Sequence, residues 1–497
     1  MRQTGQDKRR DGKRRFTWGL AVFCACLFFY LVIYLLVPTG KGMLTRTSGD
    51  EPHYILVTES ILRDGDLLLA DNYAARNYQK DGYFRAELKP HLTTGRGGRL
   101  VPWHPVFLSL VILPGFALAG YRGAGVTMVL CMSLSALFVF LILKRFASER
   151  KSALVTLFFF FTYPVLAYSF RIYPEVVTVF LLSLGIWACI RFKESERTSF
   201  LVLAGLSAAL FPFLHPKFIL LTFAVSLLAI LVARDRLRKL LYFFAPVGAA
   251  LVLLVLWTYY LYGPNIVRGL TMTGEAGRFF GKGLPWGVFG LYIDRVWGLL
   301  PYAPLYLLFF AGMPLPRERR DLKKWWVFIP ATVLVYTLII GLFREWHGGT
   351  SPVPRYLIPL VPLFVMCSAL VLFSAKRLYA RAAIALLALL QLILTVLIMI
   401  YPVAAYGLPA SSNTLYRYFF GNNWLSSTLE RIFPLFHPVT SSSIVLLLLW
   451  IIFIAFLIYA RRWYLESSPQ DILAAEAVAE FRRSRGSPGG GLSNQQG

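Results

Sequence analysis

Two adjacent carboxylates, Asp50 and Glu51, open the segment Ser48-Gly-Asp-Glu-Pro-His-Tyr54, which reads as the start of a helix. Asp50 is a natural N-cap and Pro52 suits the first turn. A carboxylate at the positive end of a helix stays ionised, and an ionised carboxylate can take a proton as a general base. Cap and base are compatible readings; Glu51 beside it would position substrate or share the role. All six histidines, His53, His91, His104, His215, His347 and His437, lie in loops or beside the ends of apolar runs. So do Arg171 and Glu175, Lys217, and the group Arg344, Glu345 and Arg355. A repeated choice of His, Arg, Lys and Glu at such ends points to one polar site at a membrane surface. The plain alternative is interfacial anchoring by snorkelling side chains.

The elements that must position these residues are apolar helices. The chain has 497 residues, 57% hydrophobic and only 15% charged, with a mean hydropathy of +0.60. Soluble domains carry about a quarter charged residues, and a chain with 16% aromatics buries too much to be disordered. A polytopic membrane protein remains. About twelve runs approach the roughly 20 residues a span needs, near 16–37, 122–143, 152–169, 174–192, 199–214, 216–233, 240–262, 299–313, 325–343, 356–374, 380–400 and 442–460. Within them, away from the ends, the most polar side chain is Gln391. Transporters keep ionisable groups near the midplane, so this pattern counts against transport. Five scattered cysteines without a CxxC support neither a disulfide framework nor a thiolate zinc site.

The formal charge of +26 would suggest nucleic acid in a soluble protein. Here it is first a topological signal, because cytoplasmic loops collect Lys and Arg. A short run at 103–119, with Pro105 and Pro114, decides the orientation. If it lies in the interface, the basic stretch 1–15 and the clusters at 144–151, 234–239, 317–324 and 461–462 share one side. Both termini are then cytoplasmic, the first loop, 38–121, is extracytoplasmic, and 16–462 forms one membrane domain. The segment 463–497 is a flexible cytoplasmic tail. No internal repeat is visible. Within the first loop, Tyr54, Val57 and Ile61 share a face opposite His53, Glu59 and Ser60, which describes an amphipathic helix on the membrane.

In this order the features resemble the GT-C fold of integral-membrane glycosyltransferases, particularly the protein O-mannosyltransferase and aminoarabinose transferase branch. Those enzymes carry an acidic pair at the start of the first outer loop, here Asp50-Glu51. Their Lys-Pro-Pro element has a looser counterpart in Trp103-His104-Pro105, with His104 in place of lysine. Their Arg-x-Pro-Asp-like turn resembles Arg171-Ile-Tyr-Pro-Glu175, with Glu175 in place of aspartate, and a later Arg-Tyr resembles Arg355-Tyr356.

The resemblance implies an all-α protein of about twelve spans with interfacial helices in the first loop, and a sugar donor linked to polyprenyl phosphate. It implies transfer, with inversion, to an extracytoplasmic acceptor: a lipid, a polysaccharide or a protein. Asp50 would be the base, and Glu51 and Glu175 orienting acids. Arg355, then Lys217, Arg344 and His347, would stabilise the departing phosphate. His53, His104, Arg171 and Tyr356 would position substrate. A divalent metal on Asp50, His53 and His104 or His215 stays open, although no HExxH or CxxC accompanies them. The closest approach to a P-loop, Gly277 to Gly283, lacks its spacing and its Ser/Thr. Nucleic acid is not an expected partner; membrane lipids are. The competing classes are a flippase of lipid-linked sugars, which needs a polar path between leaflets, and a non-catalytic scaffold, which would tolerate loss of the acidic pair.

Overall fold

Each apolar run predicted to span is helical for at least part of its length in the computed structural model, which describes residues 4–36, 47–266, 281, 283–313, 323–407 and 412–464. The first loop and early spans give α1 (Thr4–Leu36), α2 (Glu51–Arg63), α3 (Ala70–Ala74), α4 (Asn77–Lys80) and α5 (Phe107–Leu143). They continue as α6 (Glu149–Phe160), α7 (Val165–Tyr168), α8 (Pro174–Ser195), α9 (Thr198–Leu214), α10 (Ile219–Val232) and α11 (Leu241–Tyr262). Among the described residues, seven helices are long and apolar enough to cross a membrane, accompanied by shorter apolar helices at Thr198–Leu214, Pro216–Val232 and Val327–Gly341. The chain is an all-α polytopic membrane protein. A small antiparallel hairpin of β1 (Leu92–Thr94) and β2 (Leu100–Pro102), unforeseen in the sequence, is the sheet present among those residues. The basic residues 317–320, the stretch 277–280 and the tail after Tyr464 lie outside the described residues.

Two predicted spans are not single helices. The run 152–169 stops after Phe160 and resumes as the four-residue α7, and 299–313 is helical only over the six residues Leu307–Gly312, after a 3-10 turn. Pro164, Pro301 and Pro304 account for both interruptions, since proline lacks the N–H and blocks the preceding turn. The freed backbone groups find partners on the helix Leu378–Ile400. Gln391 Nε2 donates to the Tyr163 carbonyl at 2.8 Å, and Gln391 Oε1 accepts from the Leu305 N–H at 3.4 Å. Thr395 Oγ1 accepts from the Tyr163 N–H at 3.0 Å. The most polar side chain of the predicted spans therefore satisfies irregular backbone where water is absent, as a bilayer requires.

The run 103–119 becomes the first arm of a helical hairpin within α5. Ala119 (φ −148°, ψ 29°) and Gly120 (φ 58°, ψ −148°) break the helix and reverse the chain. Gly115 and Gly123 then meet backbone to backbone, so that a Cβ on Gly123 would lie 1.9 Å from the Gly115 carbonyl oxygen. The first arm, ending at Leu118, is about 18 Å long at 1.5 Å per residue. That falls well short of a hydrocarbon core of about 30 Å. Gly123→Ala should overpack this contact by about 1–3 kcal/mol and lower the thermal midpoint of detergent-purified protein. Gly248→Ala, where a Cβ meets nothing within 4 Å, is the control; equal midpoints would contradict the close approach.

Helix α2 departs from the amphipathic expectation. Its residues from Glu51 to Ser60 are all buried, because the rest of the first loop folds over the polar face. Tyr73 and His91 cover His53, and Tyr83 donates to Glu59 Oε2 at 3.1 Å. On its other side, Ser109 of α5 donates to the Tyr54 carbonyl at 2.9 Å.

The long helices are of two kinds. Helix α8 and the helix Val361–Ser374 are buried over most of their surface. By contrast α11, Leu378–Ile400 and Ser441–Tyr464 expose Leu253, Leu256, Leu389, Ile393, Leu448 and Ile452, rims that suit hydrocarbon rather than water. The inner pair carries the polar residues: Glu175 opens α8, and Arg355 lies in the 3-10 turn Arg355–Leu360 that leads into Val361–Ser374.

Candidate functional site

Four ionised side chains from four separate segments converge at one end of these inner helices. Asp50 occupies the N-cap position of α2, yet its carboxylate makes no capping bond. Instead, Asp50 Oδ2 accepts from Arg355 Nη1 at 2.7 Å. Arg355 Nε donates to Glu175 Oε1 at 3.0 Å, and the same oxygen accepts from Lys217 Nζ at 2.7 Å. Glu175 is fully buried, and its Oε2 is a buried oxygen with no hydrogen-bond partner among the described residues. Proline at the first turns holds the backbone of both Glu175 and Lys217: Pro174 starts α8, and Pro216 starts the turn Pro216–Phe218 that presents Lys217. Two aromatic faces complete the setting. The Arg355 guanidinium lies 4.2 Å from the Tyr173 ring centre, and Lys217 Nζ lies 4.2 Å from that of Tyr356, cation–π contacts that favour the charged forms.

Two carboxylates and two cations make this network formally neutral. Asp50 is its most exposed member, with a quarter of its side chain open. Burial pushes its carboxyl up, but the Arg355 guanidinium, seconded by His104, outweighs burial and holds it well below the usual carboxylate range.

Glu51 and Arg171 sit beside this network and do other work. Glu51 Oε2 accepts from Arg171 Nη1 at 2.9 Å and from the Ser48 N–H at 2.8 Å, while Oε1 accepts from the Ile172 N–H at 2.9 Å. Arg171 also donates to Tyr406 Oη. Both side chains are almost completely buried. The pair fastens the start of α2 to the 171–173 turn, where Tyr173 Oη also donates to the Ser48 carbonyl at 2.8 Å. The geometry thereby holds Asp50 and Glu175 on facing sides of Arg355. Glu51 and Arg171 are thus buried against each other and against backbone, and they join the start of α2 to the 171–173 turn.

A second cluster flanks Asp50. His104 Nε2 lies 3.8 Å from Asp50 Oδ1 and 2.9 Å from His91 Nδ1. The His91 ring stacks on His53 at 3.7 Å, and His53 Nδ1 pairs with Tyr73 Oη at 2.6 Å. Burial lowers the imidazole of His104 to about 4 against the pull of Asp50, and it lowers His91 as well. Both rings are therefore neutral near pH 7. The sequence offered His91 only as one of six histidines, with no role of its own. Hairpin register brings it in: Leu92 faces Pro102, and the Trp103 N–H donates to the His91 carbonyl at 3.0 Å. The signal was legible as two short runs around Gly95-Arg-Gly-Gly-Arg99, a hairpin signature.

Three predicted residues stand outside the ion-pair network. His215 Nδ1 accepts from the Lys217 N–H at 3.2 Å and caps the turn that carries it. His347 pairs with Glu345 at 3.0 Å and stacks on Trp297, and the exposed Arg344 lies 4.0 Å from Glu345. Neither Arg344 nor His347 joins the network, because the turn after Leu342 directs both toward Glu345.

His104 also lines a large cavity of about 1710 Å³ between α9, α11 and the first loop. Its walls are mainly apolar, with Leu210, Phe213, Leu253 and Trp257 among them, and Arg96 and Arg99 of the β1–β2 turn stand on its lining. A long apolar chain fits such a wall; an anionic group fits its cationic part.

A family described as a domain of unknown function, DUF6311, matches residues 102–275. No curated protein sequence matches the chain. Among solved structures it is similar to ArnT from Cupriavidus metallidurans bound to undecaprenyl phosphate, at 15% identity and a TM-score of 0.46, covering 94% of this chain and 75% of that one. It is also similar to the oligosaccharyltransferase AglB from Archaeoglobus fulgidus in complex with an inhibitory peptide and a dolichol-phosphate, at 11% identity and a TM-score of 0.43. That likeness covers 83% of this chain and 60% of AglB. The Archaeoglobus fulgidus oligosaccharyltransferase in its apo form gives 14% identity, a TM-score of 0.42 and coverage of 78% and 56%.

Proposed function

We propose that this chain is a membrane glycosyltransferase that moves a sugar from a polyprenyl-phosphate-linked donor to an extracytoplasmic acceptor. One observation carries the reading: His104 stands in the wall of the apolar cavity and 3.8 Å from Asp50. A lipid tail in the cavity would bring its phosphate end beside the carboxylate and the Arg355–Lys217 pair. Asp50 takes the proton of the acceptor hydroxyl as that oxygen attacks the anomeric carbon. The bond from that carbon to the phosphate oxygen breaks, and polyprenyl phosphate leaves as the anion. The basic clusters that orient the chain support a site on the extracytoplasmic face with both termini in the cytoplasm.

The arrangement supplies its own control over the base. A carboxylate held ionised by a guanidinium is a weak base. A donor phosphate competing for Arg355 weakens that hold and raises the proton affinity of Asp50 as the substrate arrives. Glu175 keeps Arg355 and Lys217 in place during the exchange.

The test is transfer from a polyprenyl-phosphate sugar in proteoliposomes. Ala250 lines the cavity. Ala250→Trp should obstruct it locally and reduce turnover at limiting donor by at least about tenfold, or about 1.4 kcal/mol, with folding retained. Undiminished donor use would remove the cavity from the reading.

A further inference from the structure

We infer that Asp50, His91 and His104 form a binding site for one divalent transition-metal ion with the ligand preference of zinc. The three ligand atoms, one from each residue, lie within 4.8 Å of one another. His91 Nδ1 and His104 Nε2 are 2.9 Å apart, and Asp50 Oδ1 is 3.8 Å from His104 Nε2. A tetrahedral ion with bonds of about 2.0–2.1 Å separates its ligand atoms by about 3.3–3.4 Å. Two of the three edges straddle that value and the third is no longer than 4.8 Å, so rotation of the rings and of the Asp50 carboxylate would admit the ion.

A simple hydrogen bond between the two imidazoles explains one edge, and Arg355 accounts for Asp50 Oδ2, but neither accounts for the approach of Oδ1 to His104. The surroundings favour a fixed ligand set. Hairpin register bonds the backbone of His91 to Trp103, next to His104, and the stack with His53 fixes the His91 ring. Arg355 engages Asp50 Oδ2, which leaves Oδ1 toward the histidines. Two nitrogens and one oxygen suit zinc or its neighbours far better than magnesium or calcium. Three protein ligands also leave a fourth position open, as in zinc sites that take up an exogenous oxygen, and His104 places that position near the cavity. The sequence left a metal open on Asp50 and His53 with His104 or His215; the geometry keeps Asp50 and His104 and puts His91 in place of His53. This inference stands without the sugar-transfer reading, since it concerns only what the three side chains bind.

The experiment is elemental analysis of the full-length protein, stripped with chelator in detergent and dialysed against Zn²⁺, then separately against Mg²⁺ and Ca²⁺. About one zinc per chain is expected, undisplaced by magnesium or calcium. His91→Leu and His104→Leu should each weaken zinc binding by more than about 100-fold, beyond the ~10–100-fold contributed by residues that merely orient a ligand. His91→Cys, which supplies a thiolate ligand, should retain zinc, and so should His347→Leu, which lies outside the cluster. The His91→Cys and His91→Leu pair decides the matter even if His104→Leu fails to fold. Substoichiometric zinc in the unaltered protein, or equal zinc in His91→Leu and His91→Cys, would overturn the site. Because no sugar donor is present, zinc can bind even if transfer is absent, and the converse outcome is equally readable.

Discussion

Asp50→Asn is expected to reduce sugar transfer by about 10²- to 10⁴-fold, the range lost with a general base, while the protein still folds and binds donor. The substitution keeps the size of the side chain and its hydrogen bond to Arg355 but removes both the charge and the proton-accepting oxygen. The surrounding structure tolerates this, because Arg355 keeps its bond to the buried Glu175 and α2 never relied on the Asp50 carboxylate as a cap. Initial rates in proteoliposomes, with donor binding measured in parallel, separate a chemical loss from a binding loss. Transfer within a few-fold of normal would sink Asp50 as the base. Asp50→Glu retains the carboxylate, displaced by one methylene, and should recover part of the rate.

The second large effect falls on folding. Arg171→Ala leaves Glu51 buried with an unmatched charge, and breaking a buried ion pair from one side costs about 3–5 kcal/mol. The lost contacts join the start of α2 to the 171–173 turn and reach Tyr406. We therefore expect Arg171→Ala to lose most of its monodisperse yield in detergent and to unfold at a markedly lower temperature. Glu51→Leu combined with Arg171→Met removes both charges and should be less destabilised than Arg171→Ala alone, since no ion is stranded. If Arg171→Ala unfolds at the unaltered temperature while losing activity, Arg171 belongs with the substrate groups instead.

The spans, and the run ends at which the candidate residues stand, were legible because both are local properties of the sequence. Apolar length marks a helix, and Glu175, Lys217 and Arg355 each stand at the end of such a run. What the sequence withheld depends on long-range folding. Glu51 and Asp50 are neighbours of the same type, yet Glu51 meets buried backbone and Arg171, while Asp50 stays partly open to solvent. The burial of α2 required the rest of the first loop to close over it. His91 needed a strand register to become the partner of His104. The interruptions at Pro164 and Pro304 were written in the sequence, but their compensation by Gln391 and Thr395, more than 80 residues away in chain order, was not.

The division between lipid-facing and enclosed helices has a mechanical consequence. Helices such as α11, Leu378–Ile400 and Ser441–Tyr464 feel bilayer thickness directly, and mismatch is met by tilting at a cost of fractions of a kcal/mol per ångström. The segments that carry Glu175 and Arg355 are wrapped in protein and exchange little contact with acyl chains. An outer layer that tilts around an inner layer that does not would let the chemistry keep its geometry while the membrane thins or thickens. In this respect the peripheral helices serve the molecule as a suspension.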